Sequence, residues 1–313
     1  MGFLDLHGGL GRRFGSLGMG LEEIGIDLAA SPAPDISATG PGSERALDCA
    51  RRMLERLELN AGIRLEISSA IPEHCGLGSG TQMSLAVGTA LCRLQGLSLT
   101  PADIASIMGR GNRSGIGIGT FRYGGFIVDG GRGAHTGAPP VVSRLPVPEA
   151  WRCVLALDQG VSGLCGNVEQ EAFTRLEPMG QGAASEICRL VLMQVLPALT
   201  EQDCAAFGAG ISSIQELVGE YFAPIQHGPY RSPAVAEAMS FLRRQGACGA
   251  GQSSWGPAGF ALFASETDAF QAMKLARGQR YDKGTLKFVL CRASNEPALV
   301  FTRDAVVKGA RSI

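Results

Sequence analysis

The sequence predicts an α+β chain in two domains, residues 1–150 and 151–313. Three observations carry that reading. Strand-like and helix-like patterns are interleaved through the first half. Two proline clusters, Ala138-Pro139-Pro140 and Pro146-Val147-Pro148, interrupt the chain near its middle. The last third then runs as a split β-α-β unit.

In the first half, Ser43 is expected to cap a helix whose apolar face is Leu47, Ala50, Leu54 and Leu57. Residues 63–69 alternate apolar and polar as a half-buried strand would, with Ile63, Leu65 and Ile67 on one face. Pro72 ends that pattern, and glycines lead into an apolar helix over 82–94. Thr100-Pro101 with Asp103 opens a further helix that Gly109 closes. A glycine-dense stretch, 111–133, surrounds one short apolar strand at 126–128. In the second half, 153–157 reads as a buried strand, followed by helices at 183–199, 201–221 and 233–244. A strand at 260–263, a helix at 267–277 and strands at 286–292 and 298–301 complete a ferredoxin-like pattern.

Composition narrows the function. A chain of 313 residues can bury about three quarters of its unfolded surface without disulfide staples. Apolar residues at 45% and charged residues at 18% are those of a globular chain. Lys+Arg 28 against Asp+Glu 29 gives a net charge of -1, which argues against a nucleic-acid coat and a polybasic membrane patch. The lysines are Lys274, Lys283, Lys287 and Lys308, so arginine, suited to bidentate capture of phosphate and carboxylate, supplies nearly all the positive charge. There are nine cysteines without a Cys-x-x-Cys pair, and most (Cys92, Cys153, Cys188, Cys291) lie in apolar runs and read as buried hydrophobes in a reducing compartment. The apolar run 187–199 is too short to span a membrane and contains Arg189 and Gln194; it suits a core or a homodimer interface. The expectation is a soluble cytoplasmic protein.

Pro72-Glu73-His74-Cys75-Gly76-Leu77-Gly78-Ser79-Gly80-Thr81 is the most informative stretch. A helix start leaves N–H groups unpaired and partly positive, and glycines ahead of it let the backbone wrap an anion. No Lys follows the glycines, so this is not a Walker A loop, and the spacing is not that of a Rossmann turn. A second loop runs Gly246-Ala247-Cys248-Gly249-Ala250-Gly251-Gln252-Ser253-Ser254-Trp255-Gly256-Pro257. There, Gly249, Gly251, Ser253 and Ser254 are candidate phosphate donors and Trp255 an aromatic plane or a core residue. Two anion loops suit a ligand with two phosphate-bearing ends.

Residues 72–81 resemble the phosphate-binding motif of the GHMP kinase superfamily, and 246–251 its C-terminal glycine motif. Four further blocks narrow the resemblance: Phe3-Leu4-Asp5-Leu6-His7-Gly8, 111–119, 124–131 and 251–257. Together they resemble the β-ribofuranosylaminobenzene 5′-phosphate synthase family over nearly the whole chain. The resemblance implies an N-terminal domain like the second domain of ribosomal protein S5 and a ferredoxin-like C-terminal domain. Family members carry a short strand ahead of the position of Phe3, so here either the start is called late or that first strand, an edge of the N-terminal sheet, is absent.

The family's reaction, as the resemblance implies it, joins phosphoribosyl pyrophosphate to 4-aminobenzoate or 4-hydroxybenzoate with loss of CO2 and pyrophosphate. It belongs to tetrahydromethanopterin synthesis and needs no organic cofactor. Gly76, Leu77, Gly78, Ser79, Gly80 and Thr81 are the expected pyrophosphate cradle. A Mg²⁺ ion is expected with Glu73, Asp129 or Asp5 as ligand, because Mg²⁺ needs only one or two carboxylates beside phosphate oxygens. Arg12, Arg13, Arg110 and Arg113 are candidate clamps for the carboxylate or the 5-phosphate, with Arg113 closest to the chemistry. His7 and His74 are candidates for moving a phenol or amine proton. Two rival readings are an ATP-dependent small-molecule kinase, which the lack of any Lys before Lys274 weakens, and a ligand-sensing relative without catalysis.

Overall fold

The computed structural model describes residues 1–163, 171, 173–281 and 286–302. Its N-terminal half contains two sheets. In the first, β1 (Gly2–Asp5), β2 (Arg12–Met19), β6 (Phe126–Asp129) and β8 (Val141–Leu145) lie in that order, and the short β7 (Arg132–Gly133) also pairs with β2. The edge strand β1 has four residues and contains Phe3. The second sheet places β5 (Gly62–Ser69) between β3 (Asp27–Ala33) and β4 (Ile36–Thr39). Ile63, Leu65 and Ile67 turn one face of it into a core shared with α1 (Ser43–Arg56), α2 (Ser79–Leu94) and α3 (Pro101–Ile107).

Several helix ends differ from expectation for local reasons. Gly42, not Ser43, is the N-cap of α1, in a left-handed conformation (φ 75) that a side chain would strain. The glycine-dense segment hides a helix, α4 (Ile116–Tyr123), whose Gly119 and Gly117 allow close packing on Ile127 and Thr81. At β2, Phe14 (φ 74) and Gly15 (φ 66) are both left-handed, a combination that costs a bulky residue about 1–3 kcal/mol.

The second half begins with β9 (Arg152–Asp158). Helical segments follow: α5 (Gln181–Leu190), a π-helical turn (Val191–Val195), α6 (Leu196–Thr200), α7 (Cys204–Gln226) and α8 (Pro233–Arg244). The chain then forms β10 (Gly249–Gln252), β11 (Ala258–Phe263), α9 (Glu266–Arg277) and β12 (Leu286–Cys291). The antiparallel order β10-β11-β9-β12 is the ferredoxin-like arrangement. Helix α7 starts three residues later than expected because the Asp203 carboxylate caps it, accepting from Ala206 N–H at 3.0 Å. Residues 298–301 do not form the expected last strand. They run back along the N-terminal half, where Ala298 N–H donates to Phe121 C=O at 2.9 Å.

The helical run Gln181–Thr200 is longer than the expected apolar segment and has a mean hydropathy of 1.3. It has the length and apolar character to cross a membrane, yet Ile187, Leu190, Val191 and Val195 face the protein core while Leu192 and Met193 are exposed. That core is continuous between the halves. Phe3, Leu17, Phe126 and Val128 of the first sheet pack with Leu155, Leu157, Phe260 and Leu262 of the ferredoxin-like sheet and with Phe207, Ile211 and Phe222 of α7. The other face of the ferredoxin-like sheet, with Val154, Ala156, Ala261 and Phe263, is covered by α8 and α9.

Helix α7 meets β10 at a close glycine contact, beside which Ser212 Oγ accepts from Ala250 N–H at 3.2 Å. A Cβ on Gly249 would lie 2.2 Å from Gly208 C=O. Replacing Gly249 with Ala is expected to destabilise the chain by about 1–3 kcal/mol, read as a lower urea midpoint at unchanged slope. An unchanged midpoint would contradict this contact.

Candidate functional site

A cleft of about 2270 Å³ lies between the N-terminal half and the ferredoxin-like sheet. The loop from β5 to α2 forms part of its wall. Within it His74 (φ 58), Gly76 (φ 76) and Gly78 (φ 73) are left-handed. The first internal bonds of α2 run from Thr81 and Gln82 N–H to Gly78 C=O, both 3.0 Å. Ahead of them, the N–H groups of Gly76, Leu77, Gly78, Ser79 and Gly80 donate to no protein acceptor among the described residues. Successive free N–H groups in a left-handed turn at a helix start make an anion-binding concavity. It is built from main chain.

The second glycine loop holds the first in place. Ser253 Oγ donates to Gly76 C=O at 2.9 Å, and Gly163 N–H donates to His74 C=O at 2.8 Å. A Cβ on Gly76 would lie 2.2 Å from Ser253 C=O, and one on Gly256 would lie 2.1 Å from Cys75 C=O. Only glycine permits that approach at both positions. Ser253 and Ser254, the latter left-handed (φ 54), therefore face the cleft beside the nest. Gly249 and Gly251, expected to bind phosphate, do not. They are buried in β10, where they are packed on Gly208 and Gln215, and their role is helix-to-strand packing. Trp255 is 2% exposed and stacks on Phe222 at 4.1 Å between ring centroids, so it is core and not an open aromatic plane.

Two arginines flank the nest. Arg45 of α1, which no sequence motif singles out, reaches Ser79 Oγ with Nη1 (3.2 Å) and Glu73 Oε2 with Nη2 (3.0 Å). The nearest signal is Gly40-Pro41-Gly42 just ahead of α1, a second helix opened by a left-handed glycine. Arg110 donates from Nε to Ser84 Oγ at 3.2 Å and lies over Gly80, its Nη1 3.3 Å from where a Cβ would stand. Burial lowers the pKa of Arg110, with Arg45 and Arg52 adding to the effect, but a guanidinium remains charged. Arg113 lines the cleft too, its guanidinium carbon 5.2 Å from the centre of the Phe173 ring.

Other expected site residues are placed elsewhere. Arg12 ties down the β6–β7 turn, donating to Gly130 and Gly131 C=O at 2.8 Å each. His7 contacts Met179 C=O through Nδ1 at 2.9 Å and does not line the cleft. Asp129 is fully buried and accepts from Ser16 Oγ, Gly115 N–H (2.8 Å) and Gly131 N–H (2.9 Å). Burial pushes its pKa up while those donors pull it down, and a carboxylate so occupied anchors α4 and cannot ligate a metal in the cleft. Asp5 accepts from His7 and Gly8 N–H through Oδ1, both at 2.8 Å, and does not line the cleft. Of the three acids considered, Glu73 alone is exposed near the nest, bound to Arg45 and 3.7 Å from His74 Nε2. Among the described residues no three His, Cys, Asp or Glu side chains cluster as a metal site.

This arrangement, a helix-start nest sealed by a glycine strip from a ferredoxin-like sheet, is that of the GHMP kinase fold. Residues 44–125 match the GHMP kinases N terminal domain and residues 195–274 the GHMP kinases C terminal domain. Homoserine kinase from Cytophaga hutchinsonii superposes with a TM-score of 0.63 at 18% identity over 90% of each chain, a likeness of fold alone. The chain is 40% identical over 228 residues to beta-ribofuranosylphenol 5′-phosphate synthase of Archaeoglobus fulgidus, covering 68% of this chain and 72% of that one. It is 30% identical over 281 residues to the enzyme of that name from Methanothermobacter thermautotrophicus, covering 83% and 84%. The chain belongs to the β-ribofuranosylphenol 5′-phosphate synthase family.

If the nest is the anion site, Arg45 should matter as much as the glycines. Replacing Arg45 with Ala is expected to weaken inorganic pyrophosphate binding about tenfold, or about 1.4 kcal/mol, by titration calorimetry. Equal affinities in the two proteins would remove Arg45 from the site.

Proposed function

We propose that the cleft joins phosphoribosyl pyrophosphate to 4-hydroxybenzoate or 4-aminobenzoate, releasing CO2 and pyrophosphate and forming a C-riboside 5′-phosphate, as a decarboxylating pentosyltransferase of tetrahydromethanopterin synthesis. The observation that carries this reading is the row of free N–H groups from Gly76 to Gly80 between Arg45 and Arg110. The name of the relatives specifies a phenol bearing a ribofuranosyl 5′-phosphate, the product that 4-hydroxybenzoate would give.

In this scheme the C1–O bond to pyrophosphate breaks with its electron pair on oxygen. The nest, Ser79 and the two arginines meet that growing charge without reorganising, the arrangement that contributes most to catalysis of this kind. The aromatic carbon bearing the carboxylate supplies the electron pair for the new bond to C1. The para amino or hydroxyl group pushes electrons into the ring. The C–C bond to the carboxylate then breaks, its pair restores the aromatic ring, and CO2 leaves. No protein nucleophile is required. His74, exposed beside the nest with Nε2 toward Glu73, would move the phenol or amine proton. A divalent cation arriving with the diphosphate would take Glu73 as its protein carboxylate and share the leaving group's charge. For a kinase reading, none of the lysines among the described residues lines the cleft.

Incubation with phosphoribosyl pyrophosphate and carboxyl-labelled 4-aminobenzoate should release labelled CO2 and pyrophosphate in equal amounts. ATP-dependent phosphorylation of a small alcohol, with no label released, would overturn the proposal.

A further inference from the structure

A second cavity, of about 520 Å³, adjoins the cleft and shares Asn112 and Arg113 with it. Its other walls include Arg13, Phe14, Phe173, Leu176 and Pro178, and among the described residues that line it none is acidic. We infer that this cavity seats the aromatic acid, its carboxylate toward Arg13 and Arg113 and its ring against Phe14 and Phe173; the inference rests on the synthase reading above.

Three features support this occupant. The first is unpaired polarity. Arg13 Nε is buried and finds no hydrogen-bond partner among the described residues, a state that an incoming carboxylate oxygen would relieve. The second is the shape of the apolar wall. Phe14 and Phe173 meet edge to face at 5.8 Å between centroids, with an interplanar angle of 87°, and the Arg13 guanidinium carbon lies 5.4 Å from the centre of the Phe14 ring. A flat ring fits beside such a pair better than a hydroxyl-rich sugar does, because Phe, Leu and Pro side chains offer ribose hydroxyls no partner. The third is backbone strain. Phe14 is left-handed (φ 74), a conformation bulky residues avoid, and the flanking sheet holds it there.

The two cavities thereby divide two anions by chemistry. Main-chain N–H groups suit the multiply charged diphosphate, while guanidinium and phenyl groups suit a monoanionic planar acid. Arg113, on the shared wall, touches both cavities and marks where the sugar carbon and the ring carbon would meet. Once the carboxylate has become neutral CO2, the arginines lose their hold on it.

Benzoate tests the seat, because without a para donor it should bind but not react. By calorimetry or ligand-detected NMR, wild-type protein should bind benzoate, and Arg13→Gln should weaken that binding at least tenfold. Its affinity for phosphoribosyl pyrophosphate should stay within about twofold of wild type. Leu176→Trp, which fills the cavity from another wall, should abolish benzoate binding and keeps the test open if Arg13→Gln does not fold. Benzoate affinity unchanged in both variants, or a loss confined to phosphoribosyl pyrophosphate, would overturn the assignment. Because benzoate is read by binding alone, a wild-type chain that binds it but never releases pyrophosphate would sink the synthase reading and leave the seat standing.

Discussion

The site depends on a contact in which no side chain takes part at its tightest points: the main chain at Cys75 and Gly76 against that at Ser253 and Gly256. With Cβ atoms excluded at Gly76 and Gly256, the two strips approach within van der Waals range, and the Ser253 hydroxyl fixes their register on Gly76 C=O. The partner strip takes up carbonyls and leaves the nest's N–H groups free. A helix start is electropositive in any protein. Here the ferredoxin-like half braces it, so the donors stay aimed before any anion arrives.

Charge is sorted around that frame. Arginines line the cleft, while the acids expected to work there have structural duties: Asp129 anchors α4 from inside the protein and Asp5 caps a turn. Glu73 remains outside, neutralising Arg45 until a ligand competes for it. Free carboxylates beside the nest would repel a diphosphate, and pairing or burying them lowers that barrier.

The two-layer plan was legible because its signals are local. Alternation at Ile63, Leu65 and Ile67 and the helix start at Thr100, Pro101 and Asp103 act within a few residues. The glycine turn that opens α2 was legible for the same reason, since left-handed positions such as Gly76 and Gly78 favour glycine. What escaped depends on distant partners. Gly249 and Gly251 look like loop glycines until α7 is seen lying on them, and Arg45 looks like a solvated helix residue until α1 is placed beside Ser79. Asp129 resembled a ligand because sequence does not report burial. Helix α4 was hidden because its glycines, poor helix formers in isolation, serve close packing on β6 and α2.

The continuous core has a mechanical consequence. Phe3, Leu17 and Phe126 share one apolar cluster with Leu155, Phe260 and Phe207. That shared cluster ties the two halves together beside the cleft. The returning segment, with exposed Leu299 and Phe301, lies along the rim of the cleft. Severing the chain at the proline junction would leave each fragment with a bare oily face and nothing to dock it against.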